Sequence, residues 1–156
     1  MMSMTTTERP AHRRAVERLR EALARVKPNG WWVRVQLLIA LTNSVPEPDA
    51  FVLRGDERLF DGWHPNAADF GVVVEVAECS LSLDRGPKAA IYARAGIPVY
   101  WIVNIVDRRI EVYTDPEATA NPPAYHTRTD YAHGDAVPVT LDGNAVGTIP
   151  VNELVP

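Results

Sequence analysis

"DFGVVVEVAECSLSLDRGPKAAIYARAGIPVYWIV", residues 69–103, decides how this chain is read. Val72-Val73-Val74-Glu75-Val76 is apolar at consecutive rather than alternate positions, the mark of a strand covered on both faces. A central strand is therefore expected over 70–77. Asp84 is a candidate N-cap for a helix over about 85–95, stopped by Gly96 and Pro98. Val99 to Asn104 is a further apolar strand. One residue is out of place. An ionised Glu75 carboxylate, taken out of water without a partner, would cost several kcal/mol.

Towards the N-terminus, Thr5-Thr6-Thr7-Glu8 ahead of Pro10 reads as a helix start. Ala15, Leu19, Ala22 and Val26 then repeat at helical spacing, which predicts an amphipathic helix over 9–27 with an arginine-rich outer face. Val33, Val35, Leu37 and Ile39 alternate with polar residues and predict a strand over 31–40. Thr42 to Pro48 reads as a loop, Asp49 to Leu53 as a strand and 54–68 as irregular. On the other side, Asp107-Arg108 turns the chain into a strand at Ile110 to Tyr113, giving a hairpin. Beyond Asp115, five prolines interrupt short apolar pieces, which suggests edge strands and loops rather than another helix. Helix, three strands, helix, two strands is the order of an α/β domain with a mixed sheet.

At 156 residues the chain is expected to form one domain, 1–156. No apolar run approaches the ~20 residues of a membrane span, and no signal-peptide stretch is present, so a cytoplasmic protein is expected. Cys79, the only cysteine, excludes an internal disulfide and a multi-cysteine zinc site; its apolar neighbours predict a buried, inert thiol. The net charge of −4 argues against indiscriminate nucleic-acid binding, but it is unevenly spread. Residues 1–30 carry seven Arg/Lys against three Glu, a balance of +4, and the remainder carries −8. The basic segment is either a phosphate-contacting face or a solvated one.

The compensation for Glu75 is sought on the helix that follows. That helix must turn back across the sheet, so its start lies near the strand's end. Lys88, Ile91, Tyr92 and Ala95 form one stripe, with Ile91 and Ala95 expected to face the sheet and to aim Lys88 at it. Asp49 opens its strand after "PEP"; if that strand neighbours the central one, two carboxylates and a lysine converge. A hard divalent cation keeps two neighbouring carboxylates ionised, with waters and phosphate completing its shell. Asp49 and Glu75 as ligands, with Lys88 beside the attacking water, would make a kit for metal-assisted phosphodiester hydrolysis. A structural ion pair between Glu75 and Lys88 is the alternative that spacing leaves open.

"PDAFVL", "VVVEVAECS", "DRGPKAAIYARAGIPVYWIVN" and "RIEVYTDP" together resemble the Uma-two family of restriction-endonuclease-like proteins, in the PD-(D/E)XK nuclease superfamily. The likeness covers about residues 12–155. It implies a restriction-endonuclease-like α/β fold, a mixed central sheet flanked by helices. It also implies a metal-dependent endonuclease that hydrolyses DNA phosphodiester bonds with Mg²⁺, or Mn²⁺, and forms a possible homodimer. In the resemblance Asp49 and Glu75 match the metal ligands. Ala77 stands where a lysine is expected, and Lys88 matches the helix lysine that takes over its role. Family members carry a further N-terminal "YELIDGEL"-like stretch whose glutamate is a fourth active-site residue. It is expected to be missing here, with Glu17 as the candidate substitute. The alternative function is a catalytically impaired relic that binds nucleic acid or a protein partner. His12 is a candidate to face the site, while His64, His126 and His133 lack ligand-like spacing, and the four tryptophans are expected in the core.

Overall fold

The computed structural model describes residues 9–41, 43–55 and 65–156. The expected cap at Thr5–Glu8, most of the irregular stretch 54–68, and Trp63 and His64 lie outside those residues. Helix α1 (Pro10–Val26) leads to strands β1 (Trp31–Val35), β2 (Ala50–Arg54) and β3 (Phe70–Ala77). A helical run follows: α2 (Leu81–Leu83), a π-helical turn (Asp84–Lys88) and α3 (Ala89–Arg94). The chain continues through β4 (Val99–Asn104), β5 (Arg109–Glu117), β6 (Ala124–Ala132), β7 (Ala136–Leu141), β8 (Asn144–Pro150) and the short α4 (Val151–Leu154).

Six strands form one sheet in the order β1-β2-β3-β4-β5-β6, and β7 and β8 pair separately. Only β3 and β4 are parallel; every other pair is antiparallel. The parallel pair needs a crossover, which the helical run supplies. All eight residues of β3 are buried, as its unbroken apolar pattern requires. On one face α1 and the β7–β8 hairpin cover Val72, Val74 and Val76, and full burial of Leu19 and Leu23 contributes about 1.5–3 kcal/mol each. On the other face α3 covers Val73, Tyr100 and Ile102 with Tyr92. The hairpin sits hard on β3. A Cβ at Gly71 would lie 2.4 Å from Cδ2 of Leu141, so any larger residue there would have to displace that buried leucine.

Four expectations need correction. Strand β1 ends at Val35 because Gln36 adopts φ +50, and Leu37 and Leu38 are exposed. The helix after β3 starts at Leu81, so Asp84 lies inside it and is fully buried instead of capping it. Pro87 lacks the N–H that an α-turn would use, and the chain widens there into a π-turn. The added residue rotates the downstream face. Ala89, Tyr92 and Ala93 turn inward, whereas Ile91 and Ala95 are half-buried. Cys79 is exposed rather than buried, because β3 has already ended at Ala77.

The C-terminal third follows its prolines into strands, with only the short α4 as an exception. Among the described residues no helix is long and apolar enough to cross a membrane.

Candidate active site

The site lies where β2 begins and β3 ends. Antiparallel pairing of Ala50 with Val74 sets Asp49 beside the last residues of β3. One oxygen of Asp49, Oδ2, accepts the Val76 backbone N–H at 2.7 Å and lies 3.3 Å from His12 Nε2. Helix α1 therefore reaches the site from the opposite face through its first turn. Glu75 points to the α3 side of the sheet and is only 2% exposed. Tyr92 donates its hydroxyl to Glu75 Oε2 at 2.7 Å, and Lys88 Nζ lies 3.6 Å from the same oxygen.

Lys88 is shared. Its ammonium is 3.1 Å from Asp84 Oδ1, closer than it is to Glu75. Ser80 in turn donates to Asp84 Oδ2 at 2.6 Å. Ser80, Asp84, Lys88 and Tyr92 recur every four residues, so one helical face carries the whole set into the sheet. Glu75 and Asp84 thus share one lysine, and Asp49 is near enough for its charge to act on both Glu75 and Lys88.

That imbalance shows in the proton affinities. Burial first, and the Asp49 charge second, push the Glu75 carboxyl up to about 8, only partly offset by Lys88 and Tyr92. For Lys88, burial works against the charge, but Glu75, Asp84 and Asp49 outweigh it and hold the ammonium above its ordinary value. The Tyr92 phenol is driven far up, by burial and then by Glu75, and stays a donor.

Asp49, Glu75 and Lys88, the three residues singled out in the sequence, are therefore brought together. Glu17 is not among them. It is exposed and pairs with Arg20 one turn along α1, since its position falls on the outer face of that helix. Three participants were not assigned from the sequence: Tyr92, Asp84 and Ser80. The four-residue spacing from Ser80 to Tyr92 was the signal. Glu78, just past β3, has Oε1 4.0 Å from Arg9 and a buried Oε2 with no hydrogen-bond partner among the described residues.

The donor chemistry suits a hard divalent cation. Among the described residues no group of three His, Cys, Asp or Glu side chains is placed to hold a metal ion. Mg²⁺ does not need one, because it takes one or two carboxylates and keeps several waters. Asp49 and Glu75 are hard oxygen donors of that kind, and Glu75 is short of positive charge.

Comparison with known proteins agrees with this architecture. A family model described as "Putative restriction endonuclease", Uma2, matches residues 1–146. A crystal structure of a "putative nuclease belonging to DUF820" from Anabaena variabilis superposes with a TM-score of 0.71 at 12% identity. The match covers 96% of this chain and 82% of that one, and it shows the same mixed α/β fold. No curated protein sequence matches. This chain belongs to the Uma2 family.

Proposed function

We propose that this protein is a divalent-metal-dependent endonuclease that hydrolyses DNA phosphodiester bonds, with Asp49 and Glu75 holding Mg²⁺ or Mn²⁺ and Lys88 beside them. One observation carries the reading: Glu75 is buried with too little positive charge around it, next to a second carboxylate and at an end of the sheet. A structural glutamate in such a place would be fully compensated. This one is left for a cation to complete.

When bound, the metal supplies a water of lowered pKa and positive charge against the phosphate oxygens. The chain's own groups have narrower tasks. The Val76 N–H and His12 fix the orientation of Asp49 Oδ2, and Tyr92 fixes Glu75 Oε2. Lys88 keeps its proton at neutral pH, so it is a donor and a positive charge rather than a general base. Asp84 anchors that ammonium from behind, leaving its other N–H groups to face a water or a phosphate.

The test is plasmid nicking with Mg²⁺ or Mn²⁺, comparing the unaltered protein with Glu75→Gln. A loss of about a thousandfold is expected, equivalent to several kcal/mol of missing charge stabilisation. Equal nicking by both proteins would remove Glu75 from the reaction. The second reading, a nuclease-fold protein that binds without cutting, draws on Glu17 standing outside the site. It predicts DNA or protein binding with no nicking under any metal.

A further inference from the structure

Most arginines among the described residues are already engaged, Arg9, Arg13 and Arg34 included. Arg20, Arg25, Arg54, Arg85, Arg109 and Arg128 each pair with a carboxylate. Among the described residues, the side chains of Arg14, Arg18, Arg94 and Arg108 take part in no ion pair or hydrogen bond. Three of those four, Arg14, Arg18 and Arg108, wall a single groove of about 290 Å³ between α1, the β4–β5 turn and the chain's last residues. The fourth, Arg94, lines a different depression on α3. Among the described residues, three of the four unpaired arginines are thus gathered in one place, although the protein as a whole is acidic.

The groove is built to present that charge. Arg14 and Arg18 stand one turn apart, about 6 Å along the helix axis, on the side of α1 facing Ile105. Arg108 directly follows a turn that the Asn104 side chain closes with two bonds to Asp107. Asn104 Oδ1 accepts the Asp107 N–H at 3.0 Å, and Asn104 Nδ2 donates to Asp107 Oδ2 at 3.1 Å. Arg108 itself adopts φ +52, a left-handed conformation that the turn imposes. The groove also adjoins the candidate site. The Ile105 N–H donates to the Ala77 carbonyl at 3.0 Å, two residues beyond Glu75, and α1 supplies both Arg14 and the His12 that touches Asp49.

We propose that the groove walled by Arg14, Arg18 and Arg108 holds the phosphate backbone of duplex DNA and so delivers the scissile strand to the end of β3. The proposal rests on the nuclease reading for its choice of DNA. Guanidinium groups are suited to it, since each offers a planar fork of donors to phosphate oxygens. Such contacts carry no sequence information; they fix the register of the duplex.

The experiment measures binding of a short labelled DNA duplex by fluorescence anisotropy in EDTA, across a salt series, with plasmid nicking in Mn²⁺ run in parallel. The variants are Arg14→Ala/Arg18→Ala/Arg108→Ala, the single Arg108→Ala, and Arg25→Ala/Arg54→Ala as a control for paired arginines. The triple variant should bind at least about tenfold more weakly at low salt. Its log–log salt slope should flatten by about 2 to 3, near 0.9 for each phosphate that an arginine no longer neutralises. Arg108→Ala, at an exposed turn, should account for about 1 of that. The control should match the unaltered protein.

An unchanged slope in the triple variant, with nicking intact, overturns the groove and leaves the nuclease reading standing. Salt-sensitive binding that the triple variant loses, with no nicking by any protein, supports the groove and removes the nuclease reading. Absence of DNA binding by the unaltered protein, or binding of an RNA duplex alone, overturns the groove outright.

Discussion

Glu75 and Glu111 occupy the same register of the sheet on either side of one strand: Ile102 of β4 is paired with both. Both are buried, at 2% and 0% exposure. Their surroundings are opposite. Glu111 accepts from Arg85 Nε at 3.0 Å and Nη2 at 2.5 Å, from Tyr113 at 2.6 Å and from Asn104 at 3.1 Å, with Arg128 3.4 Å away. Burial opposes its charge, but the bonds from Arg85, Tyr113 and Asn104 prevail and bring its carboxyl down to about 2. Glu75 has one phenol and a lysine that lies closer to Asp84, and is pushed up to about 8. One glutamate is finished by the fold. The other is left incomplete, the difference expected between a supporting glutamate and the metal ligand proposed for Glu75.

The largest expected effect lies in how stability depends on pH. Glu75 has a raised folded value, so its contribution is fully present below the unfolded carboxyl value near 4.5 and is lost as pH rises through about 8. In EDTA, unfolding free energy should therefore fall by roughly 3–4 kcal/mol between pH 5 and 8 through this group. Urea unfolding of the unaltered protein and Glu75→Gln across that range isolates it. The fall should be much smaller in Glu75→Gln, and Mn²⁺ should offset it in the unaltered protein by favouring the ionised form. Parallel curves for the two proteins would mean that Glu75 is compensated after all, and the contrast with Glu111 would collapse.

Glu111 should behave in the reverse sense and slightly less strongly. Its folded value is depressed, so its stabilisation is present above the unfolded value and is lost as pH falls towards about 2. Glu111→Gln should cost about 3 kcal/mol at pH 7, whatever metal is added. Glu75→Gln at the same pH, in EDTA, should hold or gain stability. If both substitutions cost the same, the two glutamates are alike and neither is reserved.

How much of this contrast the sequence reveals depends on the range of the contacts. The carboxylate pair was legible, because Asp49 follows Pro48 at the start of an apolar strand and Glu75 interrupts another. Lys88 was legible through its stripe with Tyr92, although Ile91 and Ala95 on that stripe pack only half-buried against the core. Glu111 was not legible. It sits at an ordinary place in "RIEVY", and its partners Arg85 and Arg128 are 26 and 17 residues away, joined to it only by tertiary structure. Asp84 is buried inside its helix although an aspartate after a strand is a good cap candidate, because nothing local shows that the helix has already begun.

Asp84 gives the smallest effect and the finest test of the comparison. Its charge is among those that raise Glu75, and its oxygen holds the lysine that Glu75 would otherwise have to itself. Asp84→Asn keeps the size and hydrogen-bonding capacity while removing both influences. The repulsion on Glu75 weakens and Lys88 is free to move closer, and the two changes act in the same direction. Glu75 should then ionise more easily, so the loss of stability between pH 5 and 8 should shrink by about 1 kcal/mol without vanishing. With Lys88 drawn onto Glu75, the ammonium is no longer held towards a water or phosphate. Nicking should fall about tenfold in kcat, near 1.4 kcal/mol, with little change in KM. Asp84→Glu, which restores the charge on a longer stem, should recover part of the pH dependence. A pH profile identical to that of the unaltered protein would show that Asp84 does not divide Lys88 between the two carboxylates. Glu75 would then have a full partner of its own, as Glu111 does.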